Sequence, residues 1–166
     1  MATTHLQGTP VRTSGELPAV GEKLPEIHLV GQDFQNFSTA DLAGQRIVLN
    51  IFPSIDTGVC AMSVRHFNQD AADLENTVVV CASADLPPAL ARFCGAEGIE
   101  NLRMGSSFRT DFGQNFGVTL EESPLQGLLA RAVIVADVDG TVLHTELVPE
   151  ISTEPNYEAA LQALAS

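Results

Sequence analysis

The sequence predicts an α/β fold built on a central mixed β-sheet flanked by helices. Three observations carry that prediction. Arg46 to Phe52, Thr77 to Ser83 and Ala132 to Ala136 are short runs crowded with branched apolar residues, as in strands buried on both faces. Stretches with apolar residues at helical spacing lie between and after them. Asp139-Gly140 separates the third run from another extended stretch, the signature of a hairpin added to a sheet.

In chain order, Gly8 to Ser14 and Ile27 to Val30 read as peripheral strands, the first belonging to an N-terminal extension or hairpin. Arg46 to Phe52 is the first core strand. Val64, Phe67, Ala71 and Leu74 then fall on one face of a helix that leads to the second core strand, Thr77 to Ser83. Leu86, Leu90 and Phe93 mark the next helix, with Asp85 as its N-cap and Pro87 and Pro88 in its first turn, where a missing N–H costs nothing. Ala132 to Ala136 and Val142 to Val148 form the hairpin. At the C-terminus Ser152 or Thr153 caps a helix with Pro155 in its first turn and a stripe of Tyr157, Ala160, Leu161 and Leu164. Connecting segments are short, with no internal repeat or linker. The 166 residues therefore read as a single domain, 1–166, long enough to bury roughly 68–70% of its unfolded surface.

Composition excludes several classes of function. Eight Lys and Arg stand against 21 Asp and Glu, a net charge of −13. Such a chain repels polyphosphates and anionic lipid, so neither nucleic acid nor a membrane surface is an expected partner. With 45% apolar and 17% charged residues the chain is not a disordered one. Met1 to Pro10 lacks a basic stretch followed by an apolar run, and no segment reaches the roughly 18 apolar residues of a membrane span. A cytoplasmic location is the expectation. The three cysteines are an odd number, and in a reducing compartment pairing cysteines are more often catalytic than structural.

The informative stretch is Pro53-Ser54-Ile55-Asp56-Thr57-Gly58-Val59-Cys60. It runs from the end of a buried strand to the start of a helix, the usual place for function in open α/β sheets. Cys60 falls in the first helical turn, where free N–H groups and the helix dipole favour an anionic thiolate. Thr57 lies one turn earlier, placing its hydroxyl on the side of the sulfur, and Pro53 fixes the loop and screens the sulfur from water. Each residue also has a plainer reading. Thr57 serves as a helix cap, with Asp56 competing for that role, and Arg131 serves in a surface ion pair. Arg92 reads as structural or surface, Cys94 as helix packing, and Cys81 as a core residue within Val-Val-Val-Cys-Ala.

The Pro-x-x-x-Thr-x-x-Cys motif after an apolar strand resembles the active-site motif of the peroxiredoxins, and the wider context resembles their bacterial thiol peroxidase branch. Collinear segments carry the resemblance: Asn50 to Cys60, Ser83 to Pro87, Arg92 to Gly98, Leu129 to Val133 and Glu154 to Ala160. It runs from about Gly8 to the C-terminus and departs at Pro88, where many relatives carry an aromatic residue. It implies a thioredoxin-like fold in which Cys60 is the peroxidatic cysteine, oxidised to a sulfenic acid by hydrogen peroxide or an organic hydroperoxide. Thr57 and Arg131 hold the peroxide oxygens, with Pro53 beside them, and Cys94 resolves the sulfenic acid as a Cys60–Cys94 disulfide. A thioredoxin-like partner reduces that disulfide, and the chain forms a homodimer, with residues near Phe108 to Phe116 at the contact. The steps between the two cysteines require local unwinding, with Gly58 and Gly95 as yielding points.

No cofactor or metal is expected. His5, His28, His66 and His144 are isolated, and neither a zinc-ligand pattern nor a glycine-rich nucleotide loop occurs. Two other readings of the same cysteines are a thiol–disulfide oxidoreductase, disfavoured by the absence of Cys-x-x-Cys, and a redox-sensing module without peroxidase turnover.

Overall fold

The computed structural model describes residues 1–165. An N-terminal hairpin pairs β1 (Thr3–Leu6) with β2 (Thr9–Arg12) and stands apart from the main sheet. The main sheet holds β3 (His28–Val30), β4 (Asn36–Ser38), β5 (Arg46–Ile51), β6 (Thr77–Ser83), β7 (Arg103–Ser106), β8 (Ala132–Ala136) and β9 (Val142–Leu147). Their spatial order is β4-β3-β7-β6-β5-β8-β9. The three central strands β7, β6 and β5 are parallel; β3, β4, β8 and β9 join antiparallel. Parallel neighbours need a crossover, supplied by α1 (Gly58–Ala71) between β5 and β6 and by α2 (Pro87–Glu97) between β6 and β7. A short α3 (Phe112–Asn115) precedes β8, and α4 (Tyr157–Ala165) closes the described chain. This is the mixed sheet flanked by helices that the residue pattern implies.

Strand alternation divides the core into two layers. Ile47, Leu49 and Ile51 of β5, with Val80 and Ala82 of β6, face a cluster holding Phe112, Phe116, Leu129 and Val11 of the hairpin. Val48, Val79, Cys81, Val133 and Val135 face α1, α2 and α4 through Val64, Phe67, Leu90, Cys94 and Leu164. His66 of α1 also stacks on Tyr157 of α4 with ring centroids 3.7 Å apart. All three cysteines belong to this helical layer.

Several elements depart from the sequence expectation. The hairpin begins at Thr3 and turns at Gln7-Gly8, so the first strand precedes the predicted one. The edge strand β4 and the glycine-bearing β7 are too short for an alternation signal; Gly105 fits because Leu29 and Phe37 pack onto its missing side chain. Ser152 and Thr153 do not cap α4. Both bond to Glu150 instead, and Asn156 caps the helix by accepting the Ala159 N–H at 3.0 Å, which leaves Pro155 outside the first turn.

Gly117 fastens the segment after β2 to the turn after α3. It has φ +69°, and a Cβ there would lie 2.6 Å from both the backbone N and O of Glu16. A Gly117→Ala variant must strain φ and push two backbones apart, a cost of about 2 kcal/mol or more. Urea unfolding should show the midpoint falling accordingly; an unchanged midpoint would contradict this close approach.

Candidate active site

The loop from Pro53 to Thr57 carries the chain from the buried end of β5 to the first turn of α1. One carboxylate shapes it. Asp85 accepts the Ser54 hydroxyl at 2.9 Å, the Ile55 N–H at 2.7 Å and the Ser83 hydroxyl at 2.6 Å. The Asp85 side chain is thereby committed to the loop, and Leu86 takes the cap position of α2, with no side-chain cap bond. Sequence reading assigned Asp85 to the cap because the order of residues does not reveal that the loop passes over it.

Cys60 is fully buried in the first turn of α1. Its sulfur receives a hydrogen bond from Nη2 of Arg131 at 3.2 Å. Arg131 immediately precedes β8 and is 2% exposed; its Nε donates to the Ile151 carbonyl at 2.7 Å. Its third arm, Nη1, is buried with no hydrogen-bond partner. Among the described residues no carboxylate pairs with Arg131. A buried guanidinium without a counter-ion is costly; the Cys60 sulfur is the side-chain acceptor it meets, and the first turn of α1 brings the positive end of the helix dipole to the same place.

A cavity of about 260 Å³ opens beside this pair, with Leu6, Leu125, Leu128 and Ile151 as its apolar wall and Pro53, Thr57 and Arg131 among its other lining residues. Pro53 is buried and Thr57 exposed. The Thr57 hydroxyl donates to the Ser54 carbonyl at 3.0 Å and makes no side-chain cap, which leaves its oxygen able to accept a bond from a molecule in the cavity. A larger cleft of about 570 Å³ is lined by Asp33, Glu100 and Arg103 and includes neither Arg131 nor any residue of the 53–60 loop; size alone does not mark it as reactive.

Cys94 lies in the last turn of α2, buried in the same helical layer as Cys60. All three thiols are free. Burial pushes the Cys94 thiol upward, so it is held in the neutral form. Its carbonyl accepts both the Gly98 N–H, where φ +65° ends the helix, and the Ile99 N–H at 3.1 Å. Two surface ion pairs tie α2 to its neighbours: Arg92 to Asp56 of the loop before α1 at 2.9 Å, and Glu97 to Arg65 of α1 at 2.5 Å. Asp56, the rival cap for α1, is thus paired across to α2, and Arg92 has the surface role read for it. A Cβ at Gly58 or at Gly95 would meet nothing within 4 Å, so nothing packs against either step.

Cys81 sits in β6 and receives a long contact of 3.6 Å from the Asn50 amide. Asn50 also donates to Ser63 at 3.2 Å, and Ser63 donates to the Cys60 carbonyl at 2.8 Å. This buried chain, the Asp85 clamp and the Ile151 carbonyl escaped the sequence reading. Ile151 acts through its backbone, which leaves no mark in residue type. Asn50 and Ser63 carried the only available signal, as polar residues in an apolar strand and on an apolar helix face. Among the described residues no three His, Cys, Asp or Glu side chains converge to hold a metal ion.

Residues 19–161 match the model of the Redoxin family. The chain is 60% identical over 164 residues to a thiol peroxidase from Corynebacterium glutamicum, covering 99% of each. It is 52% identical over 166 residues to a thiol peroxidase from Mycobacterium tuberculosis, covering 100% of each. It is also similar to the crystal structure of a peroxiredoxin-like protein from Aquifex aeolicus, with TM-score 0.93 at 37% identity over 99% of this chain and 97% of that one.

Desolvation in the core pushes the Cys81 thiol from 9.0 up to about 12. The folded state therefore keeps a proton that the unfolded chain releases. That contribution to stability is fully present below the unfolded value near 9 and is lost as pH rises toward 12. Cys81→Ala should flatten the alkaline decline of unfolding free energy between about pH 9 and 11. Equal slopes for the two proteins would contradict the burial of a neutral thiol.

Proposed function

This chain belongs to the Redoxin family, and on that premise we propose how it acts as a thiol-dependent peroxidase, with Cys60 as the residue that peroxide oxidises. The observation that carries the reading is Arg131. One arm bonds the Cys60 sulfur at 3.2 Å while another, Nη1, is buried and unpartnered, and Arg131 is among the residues lining an apolar cavity. A buried donor without a partner costs about 1–3 kcal/mol; a peroxide oxygen in the cavity supplies that partner.

The Cys60 thiolate attacks the distal oxygen of the hydroperoxide. A sulfur–oxygen bond forms, the oxygen–oxygen bond breaks, and the distal oxygen keeps its hydrogen, giving a sulfenic acid. The departing oxygen leaves as hydroxide or alkoxide and takes a proton to become water or an alcohol. Negative charge grows on that oxygen in the transition state, where the fixed charge of Arg131 and the positive end of α1 stabilise it. Thr57 orients the substrate by accepting a hydrogen bond from its hydroxyl, and Pro53 excludes water from the sulfur. The apolar wall of Leu6, Leu125, Leu128 and Ile151 favours organic hydroperoxides alongside hydrogen peroxide.

Cys94 then attacks the sulfenic sulfur, its proton and the sulfenic hydroxyl leaving together as water, and a Cys60–Cys94 disulfide results. A dithiol protein of the thioredoxin type reduces it by exchange and leaves as a disulfide. Both cysteines start within packed helical turns, so closure proceeds through local opening of the end of α2 and the start of α1. No prosthetic group enters the cycle. The reading places the protein in the cytoplasm, where such a reductant is available. Among the described residues no helix is long and apolar enough to cross a membrane. The chain is one functional domain and acts as a homodimer. Phe108, 40% exposed, packs edge-to-face on exposed Phe34 and offers a contact; Phe112 and Phe116 are wholly buried and do not.

Peroxide consumption coupled to a thioredoxin system tests the scheme. Cys60→Ser should be inactive. Cys94→Ser should react once and fail to turn over with thioredoxin, and Cys81→Ser should stay near wild type. Retained turnover in Cys60→Ser, or an inert wild type, would overturn it.

A further inference from the structure

Glu150 lies between β9 and α4 and has no part in the cycle described above. Its carboxylate is a meeting point of two segments. Oε2 accepts the Gln7 N–H at 3.1 Å, the Ser152 N–H at 3.0 Å and the Ser152 hydroxyl at 2.6 Å; Oε1 accepts the Gly8 N–H at 2.9 Å. Gln7 and Gly8 form the turn of the N-terminal hairpin, with φ 50° and 85°, a geometry that aims both amides at one acceptor. These donors favour the charged carboxylate and hold it far below its usual range, at about 2.

The contacts continue along the backbone. Ile151 donates its N–H to the His5 carbonyl at 2.8 Å, and the Thr4 hydroxyl donates to the Val148 carbonyl at 2.8 Å. The carbonyl of the same Ile151 receives Nε of Arg131 at 2.7 Å. A guanidinium is planar, so fixing its Nε fixes the direction of both its other arms. The side chains of Leu6 and Ile151 meanwhile form part of the cavity wall.

We propose that Glu150 is a positioning residue: by clipping the turn of the N-terminal hairpin to residues 150–152, it sets the Ile151 carbonyl that aims Arg131 at Cys60 and at the peroxide. The hairpin is then a brace of the active site. A carboxylate that merely tied down a surface turn would contribute to stability without coupling to Arg131. The proposal rests on the reading in which Arg131 acts on peroxide.

A double-mutant cycle separates these roles. The second-order rate constant for hydrogen peroxide with Cys60 is measured on reduced wild type, Glu150→Ala, Arg131→Lys and the double variant by rapid quench and mass analysis. The later closure to the Cys60–Cys94 disulfide is followed in the same samples. Glu150→Ala should slow the first step at least tenfold and leave closure unchanged. In the Arg131→Lys background the same substitution should change the rate less than twofold. Glu150→Gln, which keeps an acceptor oxygen, should lose three- to tenfold and serves as the cycle's variant should Glu150→Ala not fold. An equal loss in both backgrounds, or a Glu150→Ala rate within twofold of wild type, would overturn the proposal while leaving the functional reading intact. A wild type inert to peroxide would overturn both.

Discussion

The bond from Arg131 to the Cys60 sulfur is the interaction on which the rest of the site depends. A guanidinium that is 2% exposed, with no carboxylate beside it among the described residues, costs free energy wherever it sits. The fold offsets that cost with the Ile151 carbonyl and with a sulfur at the N-terminus of a helix, and it leaves Nη1 unpartnered. In the proposed reaction that unpartnered arm is a preformed donor for developing negative charge, with no reorganisation needed when the charge appears. The whole chain is acidic, at −13, so the attraction for an anionic leaving oxygen is local to this arginine and this helix end.

Five segments distant in sequence meet around that bond. The parallel pair β5–β6 ends at the loop that presents Cys60, and Asp85 at the end of β6 pins the loop from beneath. β8 lies against the other edge of β5, which puts Arg131 beside the sulfur. Residues 150–152 and the N-terminal hairpin close the remaining side. Cys94 stands apart from this rigid set. It occupies the last turn of α2, and the ion pairs joining α2 to α1 and to the loop before it are surface pairs, which hold weakly. The site combines a clamped turn at Cys60 with a helix end at Cys94 whose attachments are weak, as the proposed cycle of bond formation and reduction needs.

Much of this was legible in the sequence, and what was hidden follows a physical pattern. Branched apolar runs located β6 and β8 to the residue, because strands buried on both faces leave an unbroken signal. The strand-to-helix position of Cys60 and the place of Arg131 at the head of a core strand were legible for the same reason, and resemblance supplied the roles. The caps were misread at Asp85, Ser152 and Thr153 because a short polar side chain that suits a helix cap suits a loop clamp equally, and tertiary contact decides between them. The hairpin strand β1 and the strands β4 and β7 were too short to show a period. The role of Ile151 is a backbone role and is silent in any reading of side chains.

The most direct test of the account is the rate at which hydrogen peroxide oxidises Cys60 in reduced Arg131→Met, a variant of similar length that removes the charge and every donor. The account predicts a second-order rate constant lower than wild type by about a hundredfold or more, the cost typical of losing a preorganised donor to developing charge, in a protein that still folds. A rate within threefold of wild type would show that the buried guanidinium is not what activates Cys60 toward peroxide.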